Sequence, residues 1–438
     1  LRPGKQNNYS PPPIFKTPTF AAINLIMEYQ YAKLTNGIRI IHKYVPNHVA
    51  HCGVVIDAGS RDEHENENGI AHFIEHLIFK GTKKRKAYHV LSRLENVGGD
   101  LNAYTSKEET FVYASFLHPH YERTLELFAD ILFNSTFPEK EIAKEKDVVL
   151  DEINSYKDSP SELIFDEFEE LLYHNHPIGT CILGSPDSLK NFSREDVIGF
   201  MQRNYLTNRM VISSVGNIKF DRLVHLAERY FGHISTASGN IIRDGFTDYQ
   251  PKNLSEAKSN YQVHCIMGVP AYDVRSDKKT TLAMLSNILG GPGMNSRLNM
   301  GIREKYGYCY SIESHYQAYS DTGNFHIYLG TDNGYLEKSL KLVYKELKLF
   351  REKKMGTLQL HHSKQQIDGQ LAISLESNVN EMTSIGKSHL FFDEVDTFKQ
   401  ISEKVNEITA EQLLEVANEV FVPEQFSTLT YVQRENGG

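Results

Sequence analysis

Apolar positions recur along the chain with two periods, and the period changes from segment to segment. Residues 37–45 and 50–58 alternate apolar with polar side chains and are rich in β-branched residues, which predicts two strands. Helical spacing then predicts helices over 70–79 and 87–96. Residues 100–105 and 110–117 read as strands around a polar turn at 107–109. Helices follow over about 120–133, 138–157, 161–174 and 193–205. The first half closes with a strand at 209–215 and a helix at 220–230. The stretch 232–255 has weak periodicity and is rich in Gly, Ser, Asn and Asp, so it reads as a linker.

The pattern then begins again. His51-Cys52 leads one strand, and His264-Cys265 leads another 213 residues later. Each strand is followed by a polar loop and a helix, 70–79 in the first half and 279–289 in the second. Each half continues with a strand pair, 100–117 or 307–330, and then with long helices. The repeated order of elements predicts an internal duplication.

Composition narrows the function classes. With 438 residues the chain is long enough for two or three domains. Its 47 basic and 56 acidic residues give a net charge of −9, which disfavours a phosphate backbone as partner. No apolar run reaches the ~20 residues of a membrane span. The four cysteines, Cys52, Cys181, Cys265 and Cys309, form no CxxC pair. They suggest a reducing compartment, hence a cytoplasmic protein. Residues 1–27 hold five prolines, three basic residues and no acid. They read as a disordered extension, or as sequence ahead of a start at Met27, rather than as a targeting segment; a targeting role would make the protein periplasmic.

The sharpest chemical signal is His72-Phe73-Ile74-Glu75-His76. On a helix His72 and His76 lie one turn apart on one face, where two imidazoles can reach one Zn²⁺. Glu75 borders that face and can act as a base without binding metal, the inverted form of HExxH. A hydrolytic zinc site also needs a third protein ligand. The helix 138–157 carries Glu141, Glu145 and Glu152 on one face. Either Glu145 or Glu152 can bind metal while the other orients a histidine. The same face reads equally as a solvated acidic surface, because Lys140, Lys144 and Lys146 interleave.

These residues, with their flanks, resemble the pitrilysin/insulysin family of inverzincin zinc peptidases, in its mitochondrial-processing-peptidase-like bacterial branch. The likeness includes Gly69-Ile70-Ala71, Leu77-Ile78-Phe79-Lys80-Gly81-Thr82, the segment Gly98 to Thr105, Tyr205, Val215-Gly216-Asn217, Ser296-Arg297-Leu298 and Arg303 to Ser311. It covers about 28–438 in order. The resemblance implies an α+β fold of two duplicated α/β-roll domains, each a mixed, mostly antiparallel sheet packed with helices, together making half of a clamshell chamber. It implies His72, His76 and Glu152 as ligands of one Zn²⁺, Glu75 as the base that activates water, and Glu145 as a supporting catalytic residue. Phe73, Asn102 and Ala103 are expected to meet the substrate, the last two on an edge strand that receives it. Arg303 and Tyr310 match the family's Arg/Tyr pair, which grips substrate and helps stabilise the transition state.

The expected domains are 28–231 with the zinc motif and 256–438 without it, joined by the linker at 232–255. The helix of the second half reads Thr281-Leu282-Ala283-Met284-Leu285 and offers no ligand. The expected activity is that of a zinc endopeptidase or oligopeptidase acting on peptides or unfolded segments bound as an added strand in a closed chamber. The alternatives are a processing protease that trims basic leader segments and a non-catalytic assembly subunit of the same fold. Peptides are the expected partners, a homodimer the expected assembly, and neither nucleic acid nor membrane is expected. Other signals carry less. The basic run 83–86 reads as a solvated loop, His361 and His362 point apart on a helix, and Cys309 reads as a small buried residue. The pairs His118/His120 and His174/His176 lack a third ligand nearby in sequence.

Overall fold

The structure is a computed structural model that describes residues 28–240 and 242–434; the expectation for residues 1–27 lies outside them. The first half runs β1 (Gln30–Lys33), β2 (Arg39–Tyr44), β3 (Val49–Ile56), α1 (Ile70–Leu77), α2 (Ala87–Glu95), β4 (Asp100–Thr105) and β5 (Thr110–Leu117). It continues through α3 (Tyr121–Phe133), α4 (Glu139–Lys157), α5 (Pro160–Leu172), α6 (Pro186–Asn191), α7 (Arg194–Asn204), β6 (Met210–Gly216) and α8 (Phe220–Phe231). The second half runs β7 (Asn253–Lys258), β8 (Val263–Ala271), α9 (Lys279–Gly290), β9 (Cys309–Ala318), β10 (Gly323–Thr331), α10 (Leu336–Glu352), α11 (Thr357–Leu375), α12 (Asn378–Phe392), α13 (Phe398–Glu407), α14 (Ala410–Val420) and β11 (Ser427–Gln433).

Each half builds one sheet, and the two sheets repeat a single plan. The first has the order β1-β2-β6-β3-β5-β4 and the second β7-β11-β8-β10-β9. In both, one strand pair is parallel, β2 with β6 and β7 with β11, and every other pair is antiparallel. In both, a hairpin ends in an edge strand, β4 or β9. The central strands read as apolar runs because they are covered on both faces; β6, Met-Val-Ile-Ser-Ser-Val-Gly, is buried throughout.

One face of the first sheet packs on α1, α3, α7 and α8 around Phe73, Leu125, Phe128, Phe200 and Leu226. Its other face is covered from the second half. There Met382 and Ile385 of α12 lie against Ile41, Val55, Val211 and Val215. The approach is close because Gly386 has no side chain: a Cβ there would stand 2.9 Å from the Ser213 Cβ. Reciprocally, α5 of the first half packs on β8 and β11, where Ile164, Phe168 and Leu172 meet Ile266, Leu429 and Tyr431. Each half therefore lends a helix to the other's sheet. At roughly 1.5–3 kcal/mol per buried large apolar side chain, these two seams bind the halves firmly.

A buried ion cluster ties the same halves together beside the β4–β5 turn. The Arg61 guanidinium donates to Glu108 at 2.7 Å, to both oxygens of Asp321 at 2.6 Å, and to the Asp244 carbonyl at 2.8 Å. Ser320 donates its main-chain N–H and its hydroxyl to Glu108. Arg243 pairs with Asp62 and Asp57, and Arg209 pairs with Asp57. No helix among the described residues is long and apolar enough to cross a membrane.

Candidate metal centre

The short helix α1 starts at a crossing of two chain segments. Gly69, its N-cap, sits at φ +93°, and a Cβ there would lie 2.7 Å from the Gly184 Cα. Only glycine meets both demands. The Glu63 carboxylate accepts the main-chain N–H groups of Gly69 and Ala71, each at 2.9 Å. It thereby satisfies donors that the first turn leaves unpaired and fixes where the helix begins. Burial pushes the Glu63 carboxyl up to about 8. Sequence reasoning missed Glu63; the signal was an acid just ahead of a glycine-started helix.

From that start the helical spacing turns His72 and His76 to α4. Their rings lie 4.8 Å apart, centroid to centroid. His72 Nε2 is 3.7 Å from one oxygen of Glu152, and His76 Nε2 is 3.4 Å from the other. One donor atom from each of the three residues falls within 4.8 Å of the others. Ligand atoms of a tetrahedral zinc with bonds of about 2.0–2.1 Å stand about 3.3 Å apart, so small side-chain shifts complete the site. Two imidazole nitrogens and a carboxylate are a zinc donor set, and among the described residues no other group of His, Cys, Asp or Glu converges in this way.

Glu145 takes the supporting place. One of its oxygens meets His76 Nδ1 at 3.3 Å and the other meets Lys80 Nζ at 2.7 Å. With Nδ1 engaged, His76 presents Nε2 to the Glu152 side. Lys80, unforeseen in the sequence, occupies Glu145 and so leaves Glu152 as the free carboxylate. Burial, and then the neighbouring His76, push the His72 imidazole down to about 4, so it is neutral and able to bind metal at pH 7.

Glu75 stands between the helix and the end of β4. Burial raises its carboxyl above the usual range, and Thr105 and His76 draw it partly back. The Thr105 hydroxyl is close enough to favour the charged form but makes no well-formed hydrogen bond. The carboxylate is thus poised to accept a proton.

The strand β4 is an open sheet edge. Ser106 N–H bonds the Glu109 carbonyl at 2.8 Å. Counted from that bond, antiparallel alternation turns the main-chain groups of Leu101, Ala103 and Thr105 outward, away from β5. Asn102 is exposed and bonds Asp100 at 3.0 Å, while Ala103 packs partly on the core.

Phe73 corrects the sequence expectation. It is fully buried and 5.8 Å ring to ring from Phe192, and so belongs to the core rather than to a substrate contact. Arg303 and Tyr310 lie on the second half. Arg303 sits on the π-helical turn Asn299–Glu304 and donates to Asn299 at 3.3 Å. Tyr310 is 64% exposed and its hydroxyl donates to Asp332 at 3.3 Å. Among the described residues, neither is hydrogen-bonded or ion-paired to α1 or α4.

Family models match most of the chain: "Insulinase (Peptidase family M16)" over residues 39–185 and "Peptidase M16 inactive domain" over 191–367. The "Uncharacterized zinc protease YmxG" of Bacillus subtilis is 34% identical over 88% of this chain and 94% of its own length. A "Probable mitochondrial-processing peptidase subunit beta" of Schizosaccharomyces pombe is 31% identical over 88% of this chain and 87% of its own. A protease from Helicobacter pylori superposes with a TM-score of 0.86 at 22% identity, covering 92% of this chain and 99% of the other. A peptidase M16 inactive domain from Pseudomonas fluorescens does so with 0.86 at 19%, covering 93% and 98%. The two structures speak to the fold alone.

Proposed function

Since the chain belongs to the insulinase family, peptidase family M16, we propose that it is a zinc-dependent endopeptidase acting on extended peptides and unfolded segments. The observation that carries this reading is the convergence of His72, His76 and Glu152 with Glu75 beside them. One ion per chain would be held by His72, His76 and the Glu152 carboxylate. A zinc ion held there supplies a Lewis acid for the scissile carbonyl and lowers the pKa of the attacking water toward about 7. Glu75 takes the proton from that water and returns it to the leaving amine. Glu145 keeps His76 in the orientation that presents Nε2. The outward main-chain groups of Leu101, Ala103 and Thr105 hold the peptide as an added strand, so side chains contribute little to affinity and folded proteins are excluded.

The active form is a homodimer. Its support is the separation of roles along the chain: the ligands lie in the first domain, and Arg303 and Tyr310 are exposed on the second with no partner near the metal donors. Each second domain then closes over the other copy's centre and brings a tyrosine hydroxyl to the developing oxyanion. An active monomer in light scattering would refute this. A second reading, removal of basic leader segments, is favoured by the 31% identity to a named processing-peptidase subunit.

Peptide cleavage profiled by mass spectrometry, with and without chelator, tests the reading. Chelator-sensitive cuts inside unstructured peptides, with folded proteins intact, are expected. Cuts that persist after metal removal would contradict it, and cuts confined to one site beyond a basic segment would favour the second reading.

A further inference from the structure

The second half carries a polar hollow of about 620 Å³ between the end of α9, the loop that follows it and the start of α11. Among the described residues no acidic side chain lines it, although the chain carries −9 overall. Its one permanent cation is Arg297. The guanidinium carbon lies 4.2 Å from the centre of the Phe350 ring, so stacking fixes the plane of the group. Glu346, the acid that faces it, stands 3.7 Å away, too far for a hydrogen bond of ordinary length. Burial draws the guanidinium below its ordinary range, and Glu346 restores it only in part.

The start of α11 adds donors. Its N-cap, Gly356, has no side chain to accept from the first turn, and the first helical bond runs from Leu360 N–H to the Gly356 carbonyl at 2.9 Å. The main-chain N–H groups of Thr357, Leu358 and Gln359 therefore have no partner among the described residues, and all three residues line the hollow. At 19 residues, α11 brings the positive end of a long helix to the same spot. Ser296 points to a ligand independently. It is 4% exposed, it lines the hollow, and its hydroxyl has no hydrogen-bond partner among the described residues. Buried hydroxyls are nearly always paired, so this one calls for an acceptor.

We propose that this hollow is a phosphate site, in which Arg297, the first turn of α11 and the Ser296 hydroxyl bind inorganic phosphate or the phosphate group of a small organic ester. The donors decide the class. Three main-chain N–H groups, a guanidinium and a hydroxyl offer more than the two oxygens of a carboxylate can accept, whereas the terminal oxygens of a phosphate can take them all. A helix N-terminus and an arginine fork each suit phosphate. The hollow is wider than a bare ion, and Ile288 and Leu358 on its wall can meet an organic group. No residue that lines it belongs to α1 or α4, so phosphate binding there does not depend on the peptidase reading.

Isothermal titration of the purified chain with inorganic phosphate, phenyl phosphate and acetate, at one ionic strength, tests the site. Saturable binding of phosphate is expected, at least about tenfold tighter than that of acetate. Arg297→Gln should weaken it by about tenfold or more, the size of a lost charge-assisted contact. Thr357→Pro removes one main-chain N–H at the helix position that best accepts proline, and should weaken binding by about threefold to tenfold with the fold kept. That second variant keeps the test decisive if Arg297→Gln does not fold. Phenyl phosphate binding several-fold more tightly than inorganic phosphate assigns the site to an organic ester, and equal affinities assign it to free phosphate; either upholds the proposal. Three results overturn it: no saturable phosphate binding at millimolar concentration, acetate bound as tightly as phosphate, or an affinity unchanged in both variants. The last would place the phosphate elsewhere, as at the metal centre.

Discussion

At the scale of single residues, the centre depends on one imidazole being kept neutral by burial. His72 is held at about 4 in the folded chain, while an unfolded chain takes up a proton near 6.5. The native-state value is the lower one, so the stabilisation is complete above pH 6.5 and is lost as pH falls toward 4. In the metal-free protein, lowering the pH from 7 to 5 should cost about 2 kcal/mol through this group. Urea unfolding at both pH values, for wild type and His72→Asn, isolates it: the wild type should lose more stability by about that amount. Equal losses would mean that His72 is not buried as described. His72, Glu75 and His76 were legible in the sequence because helical spacing alone gathers them on one face. Spacing alone left the choice between Glu145 and Glu152 open, since both occupy one face of α4; the family resemblance assigned Glu152, and in the structure Lys80, which holds Glu145, separates the two. Phe73 misled because its place in the motif said nothing of Phe192, far along the chain, against which it packs.

At the scale of elements, strongly patterned strands and helices were legible and weakly patterned ones were not. The edge strands β1, Gln-Tyr-Ala-Lys, and β7, Asn-Leu-Ser-Glu-Ala-Lys, bury little and left no clear alternation, and β7 begins inside the stretch that read as a linker. The exchange of α5 and α12 between the halves was not legible either. An amphipathic pattern says that a face is buried but not against which sheet. Gly386→Ala tests the α12 seam. The added Cβ meets Ser213 in a packed interface, and overpacking of this kind costs about 1–3 kcal/mol. Thermal unfolding should show a lower Tm; an unchanged Tm would mean that the contact of α12 with β6 is loose.

At the scale of the whole molecule, the duplication read from the repeated order of elements becomes two sheets with the same pairing plan, and among the described residues only the first half carries a metal donor set. What the sequence could not disclose is how the halves are locked. The Arg61 cluster draws on loops near residues 61, 108, 244 and 321, and no local pattern joins them. Asp321→Ala leaves the buried Arg61 guanidinium short of its bidentate partner, and breaking such a pair costs about 3–5 kcal/mol. A Tm unchanged by this substitution would remove the cluster from the account of how the second half is held beside the centre.

The central claim is that Glu75 is the base of a zinc site built from His72, His76 and Glu152. The most direct measurement is the turnover number of Glu75→Gln on a defined peptide, with the zinc content of the same sample determined. Zinc should stay at one per chain while kcat falls by roughly 10²–10⁴-fold, the size of a lost general base. Turnover close to wild type with zinc retained would contradict the assignment.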